Sequence, residues 1–252
     1  MGAPMLTALR KNGFDAKGFD VVAKASDDIT DDPIAFGQSL ETLITVVRDI
    51  AQTNDVLFGA QNFTARPSLK RIIVSSTLSP RYVRDLRARV PQHITLIDAP
   101  MSGAQIAAEN GALSFMLGGT SDDLDAAQPL FDAMGKHFHR MGAFGSGMQA
   151  KVLNNLLAAS NTAMTRLVLD WADDAGIDET ALLDLIQTSS GQNWFASGFD
   201  SIEFARDGFD PSNTIAILVK DVASALDAAP NGADVTLPET VQAAIRSLKP
   251  RA

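Results

Sequence analysis

The run Gly145-Ser146-Gly147-Met148-Gln149-Ala150-Lys151-Val152-Leu153-Asn154-Asn155 is the stretch around which the rest of the chain reads. Two glycines let the backbone leave a loop and enter a helix, because glycine tolerates the positive φ that such an entry often needs. Lys151 precedes Asn155 by four residues, which puts both on one helix face. Leu153, Leu156, Leu157, Met164, Leu167, Val168 and Trp171 recur at helical spacing and predict a buried stripe, with Lys151 and Asn155 beside it. Alone, the segment reads in two ways. Either a cleft between two packed units uses the lysine and the asparagine, or they are surface residues at the start of a long helix that Gly176 stops.

Before this stretch, short apolar runs alternate with helical segments. Leu43–Val47, Ile72–Val74, Ile94–Ile97, Gly111–Gly119 and Lys136–Met141 read as strands, and Pro33–Leu40, Arg81–Val90 and Asp122–Met134 as helices. That alternation predicts a doubly wound, Rossmann-like parallel sheet with helices on both faces, over residues 1–144. Beyond it strand signals cease. Asp178 caps a helix over Glu179–Gln187, another follows over Thr214–Ala229 until Pro230-Asn231-Gly232 breaks it, and Pro238 starts a short last one. Residues 145–252 therefore read as an all-helical domain.

The start of the chain carries half of a dinucleotide-binding unit. Met1–Leu9 reads as a helix ended by Gly13, and Ala16–Val22 as a strand that finishes near Asp20. In a βαβ nucleotide site such an acidic residue accepts from the ribose hydroxyls; the plainer alternative is a solvated turn. The opening strand and the first two glycines of G-x-G-x-x-G would lie before Met1, and Gly2 alone could serve as the last glycine. Removing that central strand would leave unpaired edges. The expectation is a late-assigned start or a truncation, and weak or absent NAD binding if the chain is complete. Thr77, after the strand ending at Val74, stands where ligands gather in such sheets, or else it is a helix cap. Ser102 and Gly103 offer a hydroxyl and backbone N–H groups to a carboxylate or phosphate, or else form an ordinary turn.

Composition narrows the classes. The 252 residues are 46% hydrophobic, ample for a large core. A net charge of −9 without a basic run argues against nucleic acid. The absence of cysteine rules out disulfides and thiolate chemistry and fits a reducing compartment. No apolar run reaches the ~18 residues of a membrane span, and no secretory signal opens the chain. Met1-Gly2 resembles a myristoylation start, but Leu6 occupies the place that wants Ser or Thr. The expectation is a cytoplasmic protein. His137 and His139 alternate on one strand without a third ligand, so no metal site is expected; His93 lacks a serine–acid partner.

Five motifs stand in order: Met1-Gly2-Ala3-Pro4-Met5, Ser76-Thr77-x-Ser79-Pro80, Asp98-Ala99-Pro100-x-Ser102-Gly103, Gly145-x-Gly147-x-x-x-Lys151-x-x-Asn154-Asn155 and Lys220-Asp221. Together they resemble the β-hydroxyacid dehydrogenases, the group of 3-hydroxyisobutyrate dehydrogenase and tartronate semialdehyde reductase, over most of the chain. The resemblance implies hydride transfer between NAD(H) and a small 3-hydroxy acid or its semialdehyde. It implies Lys151 as general acid/base, Asn155 orienting the substrate, and Ser102 and Gly103 holding its carboxylate. A desolvated lysine suits the first role, since burial lowers an amine's pKa toward neutrality. Gly2, Asp20, Val47, Arg48, Thr77 and Lys220 would face the cofactor, and Asp20 favours NAD, with NADP possible, because a carboxylate repels a 2′-phosphate.

Departures from the family pattern are Val47-Arg48 where Leu-Pro is usual, Ala104 where a second glycine is usual, and an end shorter by about a helix. They bear on affinity and substrate choice. Two rivals remain: an imine reductase-like enzyme, against which Lys151 argues, and a non-catalytic dimerising paralogue with a defective cofactor site. The helical part is expected to pair with a twin, as a homodimer or homotetramer.

Overall fold

The computed structural model describes residues 1–22 and 26–251, folded into two compact units, Met1–Lys151 and Val152–Ala252.

The first unit is built on a six-stranded sheet. In chain order its elements are α1 (Gly2–Lys11), β1 (Gly18–Phe19), β2 (Ile29–Thr30), α2 (Pro33–Gly37), β3 (Thr42–Thr45), α3 (Ile50–Leu57), β4 (Arg71–Val74), α4 (Pro80–Arg89), β5 (Thr95–Asp98), β6 (Met101–Ser102), α5 (Ala104–Glu109), β7 (Leu113–Gly118), α6 (Ser121–Met134) and β8 (Gly135–Gly142). The strand order is β3-β4-β5-β7-β6, with β8 on β7. Strands β3, β4 and β5 are parallel, as their apolar runs and intervening helices predict.

At β7 the direction reverses. Both β5 and β6 pair with it antiparallel, because the ten residues between Ser102 and Leu113 hold only the short α5 and cannot make a full crossover. The 14-residue α6 does make one, so β8 returns parallel to β7. The sheet is thus mixed rather than wholly parallel.

Successive residues of each strand point to opposite faces, so one strand feeds two cores. Ile73, Ile97, Phe115 and Leu117 pack with Met5 and Leu9 of α1 and with Leu124 and Phe131 of α6. Ile72, Val74 and Leu96 pack on the other face with Leu57 of α3 and Val83 and Leu86 of α4. Helices therefore cover both faces.

The expected strand Ala16–Val22 is corrected. Only Gly18 and Phe19 are strand, paired parallel with Ile29 and Thr30 in a separate two-stranded sheet, and Val21 and Val22 are exposed. Phe19 turns its ring onto Phe36 and Phe63. Strand β3, not β1, stands at the end of the main sheet. Helix α3, which the sequence reading passed over, is capped reciprocally. Asp49 accepts the Gln52 N–H at 2.8 Å, and Gln52 Oε1 accepts the Arg48 N–H at 3.0 Å.

The second unit is helical: α7, which runs unbroken from Ser146 to Asp174 and so begins in the first unit, then α8 (Glu179–Gln187), α9 (Trp194–Ser197), α10 (Thr214–Asp227) and α11 (Thr236–Arg246). Here the predicted stripe is reversed. Leu153, Leu157, Met164, Leu167 and Trp171 are 41–67% exposed, and Leu156 and Val168 are half-buried. The buried face is Val152, Asn155, Ala159, Thr162, Ala163, Arg166 and Leu169. Small residues allow α10 and α11 to approach, and the polar ones find partners inside. Arg166 is 2% exposed and gives its guanidinium hydrogens to the carbonyls of Ala205, Asp207 and Lys249. A buried guanidinium whose two terminal nitrogens are held by three backbone oxygens fixes where the C-terminal segment lies.

Candidate active site

The loop before α7 turns at Gly142 and Gly145, with φ of +126° and +95°. The second has a packing reason too, because a Cβ there would lie 2.6 Å from the Arg84 stem. Gly147 enters the helix where a Cβ would stand 2.3 Å from the Met116 carbonyl oxygen. The next side chain, Met148, is fully buried against Leu78 and the α4 core. Lys151 follows within the same turn and is 7% exposed, so the reading of it as a surface lysine fails.

Asp98, at the end of β5, closes this helix entry from below. It is wholly buried, and its two oxygens accept the N–H groups of Gly145 at 2.7 Å and Met148 at 2.5 Å. Burial pushes its carboxyl up to about 6, against the opposing pull of the two backbone hydrogen bonds and of Arg84. Sequence reasoning placed Asp98 in a motif but gave it no role. The available signal was an acid ending an apolar strand, where a charge needs a partner.

Four residues after Asp98, Ser102 is half-buried on β6 and paired with Ser114 of β7. Gly103 has φ +128°, and a Cβ there would come 2.5 Å from that of Ala107, so only glycine fits this turn.

Of the residues expected at the cofactor, four gather at the carboxyl ends of β3 and β4. Val47 and Arg48 follow β3. Thr77 follows β4, and it is not the cap of α4, since Ser79 accepts the Tyr82 N–H there. Gly2 opens α1 with its missing side chain directed toward Val46, 3.8 Å from where a Cβ would stand. The first turn of α1 has no side-chain cap and no acidic residue, so its N–H groups and positive pole suit a pyrophosphate. Asp20 sits just after β1, outside the main sheet, and Oδ1 accepts the Val22 N–H at 3.0 Å. These residues fit a dinucleotide.

In the second unit Asn155 is buried, and its amide donates to Asp221 Oδ2 at 2.5 Å. Lys220 Nζ stands 3.0 Å from Oδ1 of the same carboxylate. Asp221 thus joins two residues that the sequence singled out separately. Its own signal was an acid on the apolar face of α10 between Leu218 and Val222. His137 and His139 are exposed on β8.

Comparison with known proteins fits this geometry. Residues 1–143 match the NAD-binding domain of 6-phosphogluconate dehydrogenase, and residues 145–250 the NAD-binding domain of NADP-dependent 3-hydroxyisobutyrate dehydrogenase. The chain is 32% identical over 212 residues to an NAD-dependent L-serine dehydrogenase of Pseudomonas aeruginosa, with 77% of this chain and 68% of that one covered. It is 28% identical over 244 residues to the mitochondrial 3-hydroxyisobutyrate dehydrogenase of Rattus norvegicus, covering 91% and 73%. A 3-hydroxyisobutyrate dehydrogenase of Mycobacterium tuberculosis, solved with L-serine, superposes with a TM-score of 0.79 at 26% identity, over 99% and 92% of the two chains. Together with the Rossmann-like unit and its following helices, these family matches define an NAD(P)-dependent oxidoreductase acting on hydroxy acids. The chain belongs to the β-hydroxyacid dehydrogenase family, the group of 3-hydroxyisobutyrate dehydrogenase.

Proposed function

We propose that the protein interconverts a small 3-hydroxy acid and its semialdehyde, with Lys151 as the general acid/base. The observation that carries this reading is a lysine 7% exposed, three residues past a helix entry held by the core. In oxidation the neutral amine takes the hydroxyl proton while the carbon-bound hydrogen leaves as hydride; in reduction the ammonium returns that proton to the forming alkoxide. Bound nicotinamide supplies the hydride acceptor or donor. Ser102 and Gly103 would hold the carboxylate by hydroxyl and N–H, and Asn155 would orient the substrate.

Gly2, Val47, Arg48 and Thr77 would line the dinucleotide, with Lys220 toward its nicotinamide end. Asp20, an acid at a strand end, favours NAD over NADP. The exposed apolar face of α7 supports a homodimer or a homotetramer built from it, and the lack of cysteine suits the cytoplasm. The test is turnover of a panel of 3-hydroxy acids, 3-hydroxyisobutyrate and L-serine included, followed by NADH absorbance. Lys151→Ala should lower kcat by ~10²–10⁴-fold. Undiminished kcat in that variant would remove Lys151 from the mechanism.

A further inference from the structure

Asp98 does something that neither substrate nor cofactor binding requires of it. It is wholly buried, at the end of β5 and against the entry to α7. Along the chain it leads within four residues to Ser102 and Gly103. Through space it holds the backbone that carries Lys151, one carboxylate oxygen on the Gly145 N–H and the other on the Met148 N–H. The neighbours leave that carboxylate one position. A Cβ at Gly118 would lie 2.1 Å from Oδ1, and one at Gly147 would lie 3.0 Å from Oδ2. Two glycines on two elements thus make room for one carboxylate. Met148 then anchors the same turn from the other side by burying its side chain.

We propose that Asp98 is a positioning residue for Lys151, its carboxylate fixing the first turn of α7 against the strand end that leads into Ser102 and Gly103. The inference rests on the role given to Lys151 above. It requires a bidentate acceptor: a helix start offers orphan N–H groups, and a carboxylate is the side chain that takes two of them at once. A protonated acid, or an asparagine, has one good acceptor and turns a donor toward the second N–H. The turn then loosens, and the amine leaves the place from which it reaches the hydroxyl. Charges bearing on Asp98 come from α4, through Arg84; β7 presents Gly118, and the loop before α7 presents the Ala143 carbonyl and Gly145.

Asp98→Asn tests this, with folding checked by circular dichroism. The expected result is a kcat lower by on the order of ten- to a hundredfold, the KM for the hydroxy acid nearly unchanged, and an acid limb in log kcat that loses its component from Asp98 and keeps the one from protonation of Lys151. In a Lys151→Ala background the same substitution should cost nothing further. An NMR titration of the wild-type protein gives a second readout, independent of the variant's folding. The Gly145 and Met148 amides and the Lys151 side-chain carbons should move with one midpoint. A flat Lys151 signal there, or a folded Asp98→Asn enzyme with wild-type kcat and pH profile, would overturn the positioning role. If Lys151→Ala itself keeps full turnover, it is the assignment of Lys151 that falls.

Discussion

At the scale of single residues, the informative groups are polar and buried: Lys151, Asp98, Asn155, Asp221 and Arg166. A buried charge is costly unless hydrogen-bonded, so each has a partner or a purpose. Asp98 makes the cost measurable. Its carboxyl titrates near 6 instead of 3.8, so the folded state binds the proton more tightly than the unfolded chain does. The stabilisation linked to that proton is complete below pH about 4 and lost as pH rises through 6. A shift of this size corresponds to about 3 kcal/mol. Relative to Asp98→Asn, the wild-type protein should therefore gain up to about that much on acidification from pH 7 to 4, measured by urea unfolding. A relative loss instead would contradict the direction of the shift. Asp221 invites a similar comparison. Removing it by Asp221→Ala leaves the Asn155 amide without its acceptor and should raise the KM for the hydroxy acid more than that for NAD in steady-state kinetics.

At the scale of elements, α7 decides most. Its entry depends on Gly147, where an added Cβ would meet the backbone oxygen of Met116. Gly147→Ala should cost roughly 1–3 kcal/mol in chemical denaturation, because backbone gives way less readily than a flexible side chain. The outward face of the same helix presents Leu153, Leu157, Met164, Leu167 and Trp171 within a narrow arc. A 3.6-residue period reveals that such a face exists; it does not say whether the chain's own fold or a second copy covers it. If copies of the chain pair through this face as proposed, Leu157→Asp together with Trp171→Ala should lower the mass seen by size-exclusion light scattering toward that of a monomer, with the helical circular dichroism intact. A wild-type monomer would sink the idea of a paired face.

For the molecule as a whole, the separating question is whether the first unit binds a dinucleotide. The uncapped start of α1 and the strand ends of β3 and β4 are suited to one. A thermal-shift titration should show stabilisation by NAD, approaching ~2.7 kcal/mol at a hundredfold excess over Kd, and less by NADP. No stabilisation at millimolar concentrations of either would favour the non-catalytic paralogue.

The alternation of apolar runs and helices, the ordered motifs and the glycine-flanked entry to α7 were legible in the residues, because period, turn chemistry and spacing are local properties. They sufficed for the fold class and the family resemblance, and they singled out Lys151, whose role the kinetics of Lys151→Ala will test. Three things needed the folded chain. β1 left the main sheet because pairing depends on neighbours far along the sequence. The burial of α7 ran opposite to its hydrophobic stripe, because small and polar residues with internal partners can outcompete large apolar ones for the inside. And Asp98 acquired its role from N–H groups 47 and 50 residues away, contacts that no local pattern encodes.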